Sequence, residues 1–115
     1  MQQPHPPVWI GAGGPRTLQI AARRADVWLP SGEGLDAALA AARELAADCR
    51  EIGRDPTEIR MATQLEFTGT DPGAAVAELQ RWHRAGFTEL VVYCTGPDPV
   101  GAAEVAAEKI VPVLR

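Results

Sequence analysis

Hydrophobic residues recur along the chain with two different periods, one typical of helices and one typical of strands. In residues 35–52 they return at steps of three and four, which places them on one face of a helix. In residues 60–68, Met, Thr, Leu and Phe alternate with Ala, Gln and Glu, as in a strand with two different faces. Short apolar runs predict buried strands at 8–10 and 90–94, and a further strand at 26–29.

Proline residues mark where the predicted helices begin and where one is disturbed. Pro15 suits a first helical turn, because the N–H group that it lacks would have no partner within the helix. Asp71 followed by Pro72 predicts an N-cap and the first residue of another helix. A last helix is predicted at 102–114, and Pro112 is expected to disturb its final turn.

The predicted elements follow one another in the order β-α-β-α-β-α-β-α. This alternation predicts an α/β fold in which helices pack on a parallel sheet, with Trp9 and Trp28 as core residues. A chain of 115 residues is expected to form one domain or part of one, over residues 1–115, with an extended, proline-rich leader at 1–6. Four βα units fit either a small open sheet or half of an eight-stranded barrel, and periodicity does not choose between them.

Composition and charge indicate which partners the protein can bind and in which compartment it lies. The hydrophobic fraction of 46% suffices for a packed core, yet no run approaches the roughly 18 unbroken apolar residues of a membrane span. The net charge of −4 argues against nucleic acid as a partner. Cys49 and Cys94 lack the spacing of a disulfide framework, which favours buried free thiols. We therefore predict a cytoplasmic protein that binds neither nucleic acid nor a membrane.

The strongest chemical signal is the glycine turn that joins the first strand to the first helix. Gly13 and Gly14 precede Pro15, and the free N–H groups of such a turn and of the helix start can bind phosphate. Arg16 and Thr17 could add a cation and a hydroxyl to the same site. The run lacks the spacing of a Walker loop and of a full dinucleotide fingerprint, so a purely structural turn is the alternative.

The other polar residues give weaker signals. His83 is expected to be a solvated or half-buried helix residue rather than a catalytic one. Ser31 and Glu33 are expected to have loop and capping roles rather than to touch substrate. Gln64 and Glu66 fit either a barrel interior or a strand with one polar face. The sequence contains no metal-ligand spacing and no Ser-His-Asp or Cys-His arrangement with a physical case. We assign no catalytic residue and no metal ligand.

Two sequence blocks resemble the luciferase-like monooxygenase superfamily, most closely its coenzyme F420-dependent oxidoreductases. The first block is PVWIGAGGP at 7–15, and the second is AARRADVW at 21–28. Weaker matches follow in the same order, at 51–56 (EIGRDP), 85–92 (AGFTELVV) and 110–115 (IVPVLR). One departure stands out, since the family commonly has glycine where this chain has Val27.

The resemblance implies a fold, a cofactor and a set of site residues. The family fold is a (β/α)8 barrel, and this chain would form its C-terminal portion, the fifth to eighth βα units. The cofactor would be F420, or alternatively FMN, with Gly13 and Gly14 at its phosphate and Arg16 and Thr17 as weaker contacts. The implied function is to contribute this phosphate loop to hydride transfer to or from a small organic substrate. The family's catalytic acid and base come from the N-terminal half, which this sequence does not include.

An alternative function follows from the incomplete barrel. A half barrel would leave apolar strands unpaired near 8–10 and 90–93, and unpaired edges favour association with another chain. The chain could then be a non-catalytic assembly module that forms a homodimer or pairs with a separately supplied N-terminal half. It could also be a truncated product with no role of its own.

Overall fold

A computed structural model describes residues 5–32 and 34–115. The elements are β1 (Trp9–Gly11), α1 (Pro15–Arg24), β2 (Val27–Leu29), α2 (Leu35–Glu51), a 3-10 turn (Pro56–Glu58), β3 (Arg60–Phe67), α3 (Pro72–Arg84), β4 (Phe87–Cys94), α4 (Pro99–Val105), a π turn (Ala106–Ile110) and α5 (Val111–Leu114). Four parallel strands thus alternate with helices, which confirms the predicted α/β class. Glu33 and residues 1–4 of the predicted leader lie outside the described residues.

The strands follow the order of the sequence, β1-β2-β3-β4. β1 and β2 are parallel, with Trp9 opposite Val27 and Gly11 opposite Leu29. β2 pairs in parallel with the first residues of β3, where Val27 lies opposite Arg60. By contacts, the chain divides into two compact units, Met1–Ala62 and Thr63–Arg115.

In the first unit, α1 and α2 pack against each other over a core that includes Leu18, Val27, Trp28 and Cys49. Trp28 is fully buried, so its predicted core position is confirmed. The same prediction is wrong for Trp9, which is 47% exposed, and the strand at 8–10 is not buried as expected. Among the strands of residues 5–32 and 34–115, β1 lies at the end of the order and has β2 as its one neighbour, so its other edge is unpaired.

The EIGRDP turn holds the end of α1 through Arg54. Its guanidinium donates hydrogen bonds from Nη1 to the carbonyl of Ala22 (2.9 Å) and from Nη2 to that of Ala25 (2.8 Å). These carbonyls belong to the last turn and C-cap of α1, where no further helical N–H group is available. Asp55 then accepts hydrogen bonds from the backbone N–H and the hydroxyl of Thr57 and begins the 3-10 turn.

In the second unit, α3, α4 and the π turn bury a cluster of apolar side chains against one face of the sheet. Leu90, Val92 and Cys94 of β4 pack on this cluster, so Val91 and Tyr93 lie on the opposite face. β4 begins at Phe87, earlier than predicted, and it is half-buried rather than buried, with Tyr93 42% exposed. Helices of this unit cover one face of β4, whereas the prediction assumed that both faces are covered.

The last helical segment is irregular, but the irregularity lies in the turn before Pro112 and not in the final turn, where it was predicted. It begins at Pro99 rather than Ala102, with Asp98 as its N-cap, and becomes a π turn over Ala106–Ile110. The N–H group of Val111 donates to the carbonyl of Ala106, five residues earlier, which is a π-type hydrogen bond. Pro112 has no N–H group with which to continue the regular α-helical pattern.

Two further predictions concern the cysteines and a membrane. Cys49 and Cys94 are both free thiols, Cys49 buried and Cys94 half-buried. Burial raises the pKa of Cys49. Across residues 5–32 and 34–115, no helix combines the length and the apolar character needed to cross a membrane.

Candidate functional site

The candidate site begins where the chain leaves β1. The N–H group of Ala12 donates to the carbonyl of Leu29 (3.1 Å), and its own carbonyl accepts a hydrogen bond from Nε1 of the buried Trp28 (2.9 Å). Ala12 is therefore held on both sides by the neighbouring strand β2. Gly13 and Gly14 follow it and are exposed. The glycine turn is thus anchored at its first residue and free at its next two.

Helix α1 begins without a side-chain cap. Its N-cap is Gly14, with φ −81° and ψ 160°, and Pro15 is the first helical residue. The Thr17 hydroxyl and the Leu18 N–H group both donate to the carbonyl of Gly14, at 2.9 and 3.0 Å. By the geometry of an α-helix, the N–H groups of Arg16 and Thr17 have no acceptor within it. They carry the positive end of the helix dipole.

An open cavity of about 410 Å³ lies beside this turn, and we call it the glycine cavity. It is lined by Gly13, Gly14, Pro30, Ser31, Ala37, Ala38 and Ala41. The last three residues belong to the first half of α2, whose N-cap is Gly34 with φ 101° and no side-chain hydrogen bond. Among the described residues, no charged side chain contributes to the lining.

The two glycines of the turn differ in what a side chain at their position would contact. A Cβ atom on Gly13 would lie 2.6 Å from Oγ and 3.0 Å from Cβ of Ser31, closer than packed atoms approach. A Cβ atom on Gly14 would have Thr17 Oγ1 as its nearest neighbour, at 3.8 Å. The φ of Gly14 is also one that any residue adopts. The described structure therefore explains Gly13 by packing, and it leaves the space in front of Gly14 open.

The structure brings together some of the predicted site residues and leaves others apart. Gly13 and Gly14 line the glycine cavity, whereas Arg16 and Thr17 are exposed on the first turn of α1 and do not line it. The Thr17 hydroxyl already donates to Gly14 within the helix start. Ser31 meets Gly13 closely, although its sequence position favoured a loop role. The signal that could have found it is its place directly after β2, the parallel neighbour of β1.

The remaining polar candidates lie away from this cavity. His83 is exposed on α3, which confirms the prediction of a solvated helix residue. Gln64 and Glu66 are exposed on β3, and Glu66 accepts a hydrogen bond from the Thr95 hydroxyl (2.8 Å). Within residues 5–32 and 34–115, no three His, Cys, Asp or Glu side chains come together in a group that could hold a metal ion. Glu33 lies outside the described residues.

Comparison with known proteins identifies sequence relatives of this chain. Residues 1–110 match the model of the luciferase-like monooxygenase family. The chain is 33% identical over 78 residues to an F420-dependent hydroxymycolic acid dehydrogenase of Mycobacterium tuberculosis, a match that covers 67% of this chain and 21% of that protein. It is 29% identical over 104 residues to a 5,10-methylenetetrahydromethanopterin reductase of Methanolobus tindarius, covering 86% of this chain and 32% of the relative.

A solved structure shares the fold at low sequence identity. The coenzyme F420-dependent tetrahydromethanopterin reductase of Methanopyrus kandleri superposes with a TM-score of 0.75 at 17% identity, over 95% of this chain and 51% of that one. The chain thus spans between a fifth and a third of the two sequence relatives and about half of the solved structure. The chain belongs to the luciferase-like monooxygenase family, and its predicted relationship to the F420-dependent oxidoreductases of that family is confirmed.

Proposed function

We propose that this chain binds the phosphate of coenzyme F420 at the turn between β1 and α1. It would thereby form the cofactor-binding portion of an oxidoreductase that transfers a hydride to or from a small organic substrate. Family membership supports this proposal, as do the names of two similar proteins, which include F420. The observation that carries it is the uncapped start of α1 at Gly14, which borders an open cavity. FMN is the alternative cofactor.

The residues present fit a phosphate group. Phosphate oxygens need several N–H donors at close range and space to approach the backbone. Gly13 and Gly14 would provide the approach, and the N–H groups of Arg16 and Thr17 would provide uncommitted donors. Their side chains are secondary candidates because neither lines the glycine cavity. No carboxylate stands among the described lining residues to repel an anion.

In this proposal the cofactor and the protein have different roles. When bound, F420 supplies the hydride chemistry, and the protein binds and orients it. We assign no acid or base to this chain, and we propose that it corresponds to the C-terminal half of a barrel whose other half carries those groups. A cytoplasmic location is part of the proposal, since the two free cysteines suit a reducing compartment.

The proposal is tested by titrating the purified chain with F420 and with FMN while following cofactor fluorescence. Gly14→Ala is the informative variant, because the folded chain has room for its methyl group but a phosphate would meet it. We expect Gly14→Ala to weaken F420 binding about tenfold or more, equivalent to about 1.4 kcal/mol. Gly73→Ala is the control, since its Cβ would make an ordinary contact at 3.7 Å. Unsaturable binding by the parent chain, or equal binding by Gly14→Ala, would contradict the proposal.

A second candidate function is the assembly module, which exposed apolar residues on β1 favour. Trp9 in β1 and the preceding Val8 are 47% and 42% exposed, and β2 is the one neighbour of β1 among the described strands. An exposed apolar edge strand pairs readily with another chain. This candidate predicts a dimer in solution that Trp9→Lys converts to a monomer, measured by light scattering. A dimer that binds no cofactor would favour the module, whereas a monomer that binds F420 would exclude it.

A further inference from the structure

A second open cavity, of about 310 Å³, lies in the first unit between α1 and α2, and we call it the interhelix cleft. It is lined by Gln19 and Arg23 of α1, by Asp48 and Glu51 of α2, and by Ile52. We infer that a second copy of this chain binds at this cleft, so that Arg23 of each copy pairs with Asp48 and Glu51 of the other. The inference concerns a different surface from the glycine cavity and does not depend on the proposed function.

The carboxylate of Asp48 lacks a hydrogen bond that its burial requires. Its Oδ2 atom is enclosed, and no described residue donates to it. An enclosed polar atom without a partner destabilises a folded chain, and more so when the group is charged. Because rotation about the Cβ–Cγ bond of aspartate is soft, the two oxygens exchange readily and a donor that enters the cleft can pair with the carboxylate.

The chain does not supply this donor from the other side of the cleft. Arg23 and Gln19 are exposed there, yet neither makes a hydrogen bond or ion pair with a described residue, and the same holds for Glu51. On α3, by contrast, Arg81 pairs with Glu78 at 3.2 Å. The interhelix cleft therefore presents a cation and two carboxylates that have no partner within the described chain.

The arrangement of these charges suits a second copy of the same surface. A twofold interface brings one patch against itself, so every group must find its complement within that patch. Here the cation lies on α1 and the carboxylates lie on α2, so two facing copies can place each Arg23 beside the carboxylates of the other. A guanidinium is well suited to such pairs because its planar fork matches a carboxylate. Ile52, which is 50% exposed, adds apolar area for the contact to bury.

The test measures the mass of the purified chain by sedimentation velocity, at concentrations from about 1 µM to about 500 µM. We expect a reversible dimer, and we expect Arg23→Glu to raise its dissociation constant about a hundredfold, because both symmetric contacts become repulsive. Arg24→Glu is the matched control. It makes the same charge change at the next exposed position of α1, which does not line the cleft, and should dimerise like the parent chain.

A charge exchange between two variants tests the pairing directly. Glu51→Arg should also weaken its own dimer, since Arg23 would then face an arginine. In an equimolar mixture of Arg23→Glu and Glu51→Arg, the new glutamate meets the new arginine in one contact, and the original Arg23 and Glu51 meet in the other. We expect the mixture to dimerise far more tightly than either variant alone. Glu51 is exposed, so the exchange leaves the core unchanged.

Asp48→Asn separates a role in the dimer from a role in the stability of the single chain. It removes the charge that lacks a partner, so the free energy of unfolding of the monomer should be unchanged or higher. The dissociation constant of the dimer should rise about tenfold, as for the loss of a hydrogen bond to a charged group. A less stable monomer with an unchanged dimer would overturn the role of Asp48 in the dimer.

Two results would overturn the inference as a whole. A parent chain that stays monomeric at every concentration would show that water alone occupies the interhelix cleft. A dimer that Trp9→Lys separates and Arg23→Glu leaves intact would place the contact at the edge of β1. A dimer weakened equally by Arg23→Glu and Arg24→Glu would overturn the specific pairing, because net charge alone would explain it. None of these measurements uses a cofactor, so they are independent of whether the chain binds F420.

Discussion

The four main helices of this chain begin in two different ways. In the first unit, α1 and α2 have glycine N-caps, Gly14 and Gly34, which make no side-chain hydrogen bond. In the second unit, α3 and α4 have aspartate N-caps, and the carboxylates of Asp71 and Asp98 each accept a backbone N–H group at 3.0 Å. An aspartate cap places the protein's own negative charge at the positive end of the helix. The comparison shows that a carboxylate occupies the N-cap of α3 and α4, whereas α1 has neither a capping side chain nor an acidic residue in its first turn, and α2 has Asp36 in its first turn but no side-chain cap.

Helix α1 has no side-chain cap at its N-terminus, but Arg54 binds the carbonyls at its C-terminal end. We expect substitution of Arg54 to have the largest effect on the free energy of unfolding. Arg54→Ala removes two charged hydrogen bonds to the carbonyls of Ala22 and Ala25. We expect the free energy of unfolding to fall by about 3 kcal/mol, measured by urea denaturation. The free energy of unfolding of Arg54→Lys should lie between those of the parent chain and Arg54→Ala, because an ammonium group cannot reach both carbonyls in the same fork geometry.

Arg81→Ala is the matched control for Arg54→Ala. Arg81 is an exposed arginine on α3 that pairs with Glu78 at 3.2 Å, and exposed pairs of this kind contribute about 0–1 kcal/mol. A loss of stability in Arg54→Ala no greater than in Arg81→Ala would show that the end of α1 is not held in this way.

Gly13→Ala tests the packing of the glycine turn and should have the next largest effect. Its methyl group would lie 2.6 Å from Oγ and 3.0 Å from Cβ of Ser31, so the Ser31 hydroxyl must rotate away and the two loops must separate slightly. We expect a loss of about 1–3 kcal/mol in the free energy of unfolding, typical of overpacking. The double variant Gly13→Ala with Ser31→Gly removes the clash and should recover most of this loss. If Ser31→Gly did not restore the free energy of unfolding, the loss caused by Gly13→Ala would not come from contact with Ser31.

Gly14→Asp gives α1 an aspartate N-cap like those of α3 and α4. Gly14 already has the extended conformation of an N-cap residue, so aspartate can be accommodated there. We expect a gain of a few tenths of a kcal/mol in unfolding free energy, the usual difference between these caps. The same change should abolish cofactor binding, since the new carboxylate occupies and repels the phosphate position. Asp98→Gly, the reverse change in the second unit, should leave cofactor binding unaltered.

Much of the fold could be predicted from local signals, and most of the candidate site could not. The Asp71–Pro72 helix start and the π-type irregularity near Pro112 follow from chemistry within a few residues. The exposure of Trp9 does not, because an apolar run shows that residues suit a strand but not whether a neighbour covers them. Arg54 holds carbonyls 32 and 29 positions earlier, and Ser31 meets Gly13 only because two parallel strands end side by side. Such contacts arise from the folded arrangement.

The smallest expected effect concerns Asp55, the one aspartate N-cap among the described residues of the first unit, which begins the 3-10 turn. Hydrogen bonds from the backbone N–H and then the hydroxyl of Thr57 lower the pKa of Asp55 below its ordinary value of 3.8. A carboxyl group with a lowered folded-state pKa adds stability above its unfolded-state pKa, and this contribution is lost as the pH falls through the folded-state value. Asp55→Asn should therefore lose slightly more stability at pH 6 than at pH 2.5, as measured by urea denaturation at both values. Gly14 and Gly34 offer no carboxylate to protonate. If Asp55→Asn changed the free energy of unfolding by the same amount at both pH values, the acid dependence of the first unit would have to come from groups other than its helix caps.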